Sequence, residues 1–178
     1  MSYEIKTRAL VLRRYPYGEK SWILRLHTES EGTLHVLTSG RKQTIALPGA
    51  LVHVNLRIRP HREVQRVTEM DWDYIYTSFF HDPRRTPYLL FALEWLSQCL
   101  YSPEKEIFSW LRSQLIALDA AVEIEACLVS MLADLLRRLG GVSPLPPITL
   151  AKLERAYANI FPNWKPISSY GLFTFASL

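Results

Sequence analysis

Between Leu51 and Arg59 the chain alternates without a break, with Val52, Val54, Leu56 and Ile58 on one side and His53, Asn55, Arg57 and Arg59 on the other. A period of two marks a strand with one face buried and one face wet. The same period, less strictly kept, runs through IKTRALVLRR (5–14), SWILRLHT (21–28) and EGTLHVLTSG (31–40), and a shorter run, EVQRVTEM (63–70), supplies a fifth strand. Turn-forming residues separate these runs: Pro16 and Gly18 in YPYGEK, the pair Glu31-Gly32, and Gly40. Five short antiparallel strands fit a small closed barrel better than an open sheet, whose long edges would need protection.

From about Pro83 the period becomes helical. TPYLLFALEWLSQCLY predicts a helix with Thr86 as N-cap and Pro87 at the first helical position. It is apolar on nearly all sides, so it reads as a central buried helix. SPEKEIFSWLRSQLIALDAA repeats the entry signal, with Ser102 as cap, Pro103 next, and Glu104 and Glu106 in the first turn. EIEACLVSMLADLLRRLGG places Arg137 and Arg138 in a last turn before Gly140-Gly141, a glycine C-cap. After the proline-rich VSPLPP, ITLAKLERAYANIF predicts a fourth helix, and LFTFASL near the end reads as a strand candidate. The fold class is therefore an α+β two-part chain, a barrel over residues 1–76 and an α-helical domain over 77–178, joined near residues 77–86.

Charge sharpens this division. Residues 1–66 carry twelve Lys/Arg against five Asp/Glu, a surplus of seven, whereas the whole chain is only +4. A basic barrel followed by a mildly acidic remainder points to a polyanionic partner for the first part, against the alternative that the cations only solvate a sheet face. No apolar run is long enough for a transmembrane helix and the N-terminus lacks a signal-peptide core. Cys99 and Cys127 lie inside helical patterns and read as buried thiols of a cytoplasmic protein.

Catalytic constellations do not emerge. His27, His35, His53, His61 and His81 show no metal-ligand spacing, and the first three fall on strands, as sheet-surface or nucleic-acid-facing residues. No glycine-rich phosphate loop occurs. The chain reads as a binding protein, not an enzyme, with no cofactor or metal. Five-stranded barrels of this size are commonly OB-folds, which hold single strands in basic grooves lined with aromatics. Tyr15, Tyr17 and Trp22 sit among Arg13, Arg14, Lys20 and Arg25; Trp22 reads as core and the two tyrosines as rim. Arg41 and Lys42, on a connecting loop, can reach a phosphate backbone. The DNA-binding candidates are Arg13, Arg14, Arg41, Lys42, Arg57 and Arg59, flanked by Lys20, Arg62 and Arg66. A different class of function is an interaction scaffold, with Trp95, Phe108 and Trp110 lining a groove for a hydrophobic peptide and little DNA affinity. The alternative for these three is ordinary core.

The opening segment resembles that of RecO, the bacterial recombination mediator. The family begins K-T-x-A/G-I-V-L, then Y-G-E-x-S, hThxxG and a G-x-R loop. Here these read Lys6-Thr7-Arg8-Ala9-Leu10-Val11-Leu12, Tyr17-Gly18-Glu19-Lys20-Ser21, His27-Thr28-Glu29-Ser30-Glu31-Gly32 and Gly40-Arg41-Lys42. LPGALVHVNLRIRPHREVQRVTEM is similar to the family's next strand pair, and LLRRLGGVSP to its LLxxLGhxP helix end. The resemblance runs over roughly residues 5–145 in order. It implies an OB-fold followed by helices, binding of single- and double-stranded DNA, annealing of complementary strands, and help in loading the RecA recombinase onto DNA covered by single-strand-binding protein. Implied partners are RecR and the C-terminal tail of single-strand-binding protein, in the bacterial cytoplasm near the nucleoid. Two departures stand out: a short loop after Gly40, and an end at Leu178 earlier than the resemblance leads one to expect. Two cysteines cannot supply the four-cysteine zinc site of some members.

Overall fold

A computed structural model describes residues 2–40, 44–142, 144, 146–161 and 163–165. Arg41 and Lys42, and the segment LFTFASL, lie outside the described residues. Five strands come first: β1 (Tyr3–Pro16), β2 (Ser21–Thr28), β3 (Gly32–Ser39), β4 (Leu51–Ile58) and β5 (Val64–Tyr74). Four helices follow: α1 (Thr86–Cys99), α2 (Lys105–Ala120), α3 (Ile124–Arg138) and α4 (Leu150–Ile160). The chain forms two compact units, residues 1–76 with 100–112, and residues 77–99 with 113–178.

The strands close into a barrel in the order β1-β2-β3-β5-β4. Closure depends on the length of β1, whose first half pairs with β4 (Tyr3 to Leu10) and whose second half pairs with β2 (Ala9 to Pro16). A bulge between Val11 and Arg13 lets the strand turn from one partner to the other. One seam differs from the all-antiparallel expectation: β3 and β5 run parallel, over His35–Leu37 and Val64–Arg66. The inward residues of the alternating runs make the core, among them Ala9, Val11, Leu24, Leu26, Val36, Val52, Val54, Leu56 and Val67. At about 0.8 kcal/mol per buried methylene, these aliphatics are the main support of a barrel this small.

The short β3–β5 seam leaves the start of β3 in need of a partner, and residues 100–103 supply it. Thr33 N–H donates to the Tyr101 carbonyl (2.9 Å), and the Thr33 hydroxyl donates to the Leu100 carbonyl (2.9 Å). Gly32, at φ +70°, is required here, because a β-carbon would collide with the Tyr101 carbonyl oxygen. Phe108, on the first turns of α2, covers His27 at a ring distance of 6.2 Å. His27 is thus 1 % exposed, not the sheet-surface residue its strand position suggested. The Thr33 hydroxyl proton is committed to Leu100, so the 3.0 Å contact to His27 Nδ1 is a hydrogen bond donated by that nitrogen. Nε2 then carries a lone pair with no hydrogen-bond partner. Burial, and secondarily the charge of Arg25, lower the His27 pKa to about 4.

In the second unit, Trp95 on α1 is fully buried against Phe91 (5.5 Å), Tyr157 of α4 (5.1 Å) and Trp164 (4.9 Å). Tyr157 donates its hydroxyl to the Leu132 carbonyl on α3 (2.8 Å). Asp119, 1 % exposed, accepts from Thr77 N and Oγ1, Ser78 N and Phe79 N at 2.7–3.0 Å. The loop before α1 is pinned by this carboxylate. Helix ends follow their sequence signals unevenly. Thr149 caps α4 by accepting from Lys152 N, as a cap should. Gly140 (φ +83°) and Gly141 close α3 by donating to the Arg137 and Leu136 carbonyls, the two bonds of a Schellman end. Thr86 instead donates its hydroxyl to the Phe79 carbonyl (2.9 Å), and α2 begins at Lys105, two residues past Pro103. Cys99 is buried, but Cys127 is only half-buried, with its thiol pKa raised by desolvation.

Candidate nucleic-acid interface

The antiparallel and parallel registers together set a line of outward-facing residues around the barrel. It runs from Glu4 on β1 to Arg57, Arg66, Leu37, Ile23 and back to Tyr15 on β1. Arg57 and Arg66 are therefore direct cross-strand partners, with Ile23 and Leu37 beside them as half-buried aliphatics. The connection between β4 and β5 brings in Arg59 and Arg62, both exposed, and the turn after β1 brings in Tyr17, 57 % exposed. The result is a cleft of about 290 Å³ lined by Arg57, Arg59, Arg62 and Arg66 around Tyr17, Ile23, Leu37, Val64 and Gln65.

The β4–β5 connection is not slack. Gln65, 8 % exposed, accepts from Arg59 N (2.6 Å) and donates to the carbonyls of Arg59 (3.2 Å) and Arg62. Arg62 N–H also donates to the Arg59 carbonyl (2.9 Å). One inward glutamine thus fixes the loop that carries two of the four arginines. Sequence reading missed Gln65. Its signal was a polar residue at an inward position of an alternating strand, which needs internal partners once buried.

The electrostatics of the four arginines are uneven. Arg57 donates from Nε and Nη2 to Glu4 Oε1 (3.2 and 2.9 Å). Both side chains are exposed, so the pair contributes about 0.2–1 kcal/mol and opens readily. Among the described residues, no carboxylate lies within ion-pair distance of Arg59, Arg62 or Arg66. Two carboxylates elsewhere on this unit are committed to basic partners. Arg8 and Glu29 form a two-bond pair (2.8 and 3.0 Å) that raises the arginine pKa and lowers the carboxylate's, chiefly through that hydrogen bonding. Asp73 takes Arg112 (2.6 Å) and His53 (3.1 Å). Arg57, Arg59, Arg62 and Arg66 thus form a cluster of four cations at one end of the β4–β5 ladder, with Glu4 on Arg57 as its ion-pair partner among the described residues.

The sequence candidates divide accordingly. Arg57, Arg59, Arg62 and Arg66 come together, and the two regarded as flanking are full members of the cleft. Arg13 and Arg14 part company, since neighbours on a strand face opposite ways. Arg13 shares the outer face with its partner Arg25, whereas Arg14 pairs with inward Leu24 and lies over the Trp22 ring (4.5 Å). Trp22 is half-buried and packs against the core. Lys20 is exposed on the β1–β2 turn. Trp95 and Phe108 are fully buried and Trp110 is half-buried, so the first two are closed to the peptide of the scaffold alternative. Among the described residues, no group of three or more His, Cys, Asp or Glu side chains is arranged to hold a metal, and no helix is long and apolar enough to cross a membrane.

The strands of the barrel coincide with a match to a known family. No curated protein matches the chain. Residues 1–76, the five strands in full, match the family model described as recombination protein O N terminal. The five-stranded closed barrel is thus an OB-fold, and it is similar to the N-terminal domain of recombination protein O.

Proposed function

We propose that the cleft holds the phosphate backbone of single-stranded DNA and that the protein works as a recombination mediator. On this reading it binds single and double strands, anneals complementary ones, and assists recombinase loading on DNA covered by single-strand-binding protein. On the same reading its partners are RecR and the tail of single-strand-binding protein. The supporting observation is the convergence of Arg57, Arg59, Arg62 and Arg66 on one cleft with an aliphatic floor and an exposed tyrosine. Arginine forks match phosphate oxygens and release counterions, and a base has an apolar surface and the Tyr17 ring to lie against. The OB-fold's usual nucleic-acid surface, the β2–β3 face with its β1–β2 and β4–β5 loops, is the same surface. No catalytic step is required.

The test is fluorescence-anisotropy titration of a labelled single strand across a salt series. With four or five phosphate contacts, log K falls against log salt with a slope of roughly −3 to −4. The double reversal Arg57→Glu/Arg59→Glu lowers affinity by about 100-fold at low salt and flattens the slope by about 1.4, without unfolding the barrel. Unchanged affinity in that variant removes the cleft from the DNA path. The scaffold alternative gains nothing from the buried Trp95 and Phe108.

A further inference from the structure

The outer face of the barrel carries a second row of basic side chains, one register step from the first. Arg13 of β1 pairs with Arg25 of β2, Arg25 with His35 of β3, and His35 with Val64 of β5. This row lies two residues along each strand from the line Tyr15–Ile23–Leu37–Arg66. Like charges directly opposite on neighbouring strands destabilise a sheet. The barrel nevertheless holds two such pairs on one face, Arg13–Arg25 and Arg57–Arg66. Among the described residues, no carboxylate lies within ion-pair distance of Arg25 or His35, although the same barrel neutralises Arg8 with Glu29. Arg25 is steadied over the Tyr101 ring at 5.8 Å, which orients a cation without cancelling its charge.

Between the two groups of basic side chains lies an apolar strip, Ile23, Leu37 and Val64. With strands about 4.8 Å apart, the β2 and β5 columns are separated by about 10 Å. We propose that Arg25 and His35 form a second phosphate track, which holds another DNA strand beside the one in the arginine cleft. The inference rests on the cleft reading and deepens it. Two polyanions repel unless each is neutralised. Two tracks flanking one apolar strip neutralise both and bring their bases over a common surface, where complementary bases can pair.

Stoichiometry and annealing rate separate this from one long site for one strand. The full chain is titrated with non-complementary oligonucleotides of about 8 residues, within the usual span of an OB-fold site, and bound copies are counted by native mass spectrometry. The unaltered chain takes two. The variant Arg25→Gln/His35→Gln takes one, holds it within about twofold of the original affinity, and anneals longer complementary strands about tenfold more slowly. Both substitutions face outward, and Arg25→Lys with native His35 restores the second copy, which excludes misfolding as the cause. Saturation of the unaltered chain at one copy, or full-speed annealing by the double variant, overturns the second track and leaves the cleft reading standing. No binding by the unaltered chain removes the cleft reading itself.

Discussion

Asp119 in the helical unit and the arginines of the barrel cleft hold their charges under opposite conditions. Asp119 is out of water and receives four hydrogen bonds from a single loop. A carboxylate removed from solvent is tolerable only when its lone pairs are met, and once met it is committed to that loop. Arg59, Arg62 and Arg66 remain exposed, and Arg66 faces Arg57 across the ladder. Their solvation is kept, so no internal partner is demanded, and they stay available to an anion. Burial, more than charge, separates structural from ligand-facing ionic groups here.

The largest expected effect breaks the structural side of this comparison. Asp119→Ala leaves three backbone N–H groups and a hydroxyl without their acceptor and lowers stability by about 3–5 kcal/mol, read as a denaturation midpoint. Should the folded fraction bind DNA less tightly than the unaltered chain, the separation of roles fails.

A second effect concerns the buried His27. Its folded-state pKa of about 4 lies below the ordinary 6.5, so as pH falls the unfolded chain takes up the proton first. The stabilisation is present above pH 6.5 and is lost progressively down to about pH 4, a total of about 3 kcal/mol. Urea midpoints between pH 7 and 4 follow that slope in the native chain. His27→Gln flattens the slope in this window, and persistence of the full slope in that variant assigns the pH dependence to other groups.

Gln65→Ala is smaller and couples the two sides, because Gln65 is a buried polar group that positions exposed arginines. Losing its hydrogen bonds costs about 1–2 kcal/mol and lowers single-strand affinity severalfold while leaving the salt slope near that of the native chain. A parallel loss of slope would mean that a cation had left the site altogether. The smallest effect sharpens the functional side. Glu4→Gln frees Arg57 from its exposed pair and raises affinity by about twofold at low salt, a gain absent when Arg57 is also replaced by Gln.

How much was legible in advance varies with the range of the interaction involved. The alternation at 51–59 placed Arg57 and Arg59 outward and Val52, Val54, Leu56 and Ile58 inward, as the structure has them. The glycine end of α3 depends on residues a few positions apart, and it was readable. Thr86 and Ser102 carried the same kind of signal, yet a tertiary contact to Phe79 took the first hydroxyl, and α2 starts beyond the second. Exposure of His27 was read from its strand alone, whereas Phe108, distant in sequence, buries it.

Local periodicity by itself determined the five strands, the helical second part and the outward set of cations, because side-chain direction along a strand or helix is a matter of neighbouring residues. Membership of the cleft was decided only by tertiary structure. Arg57 and Arg66 meet through strand pairing, Arg66 reaches Leu37 through a parallel seam, and Gln65 holds the arginine loop from inside the barrel. Those contacts depend on which strands close against which, and barrel closure is a property of the whole chain segment that no short window contains.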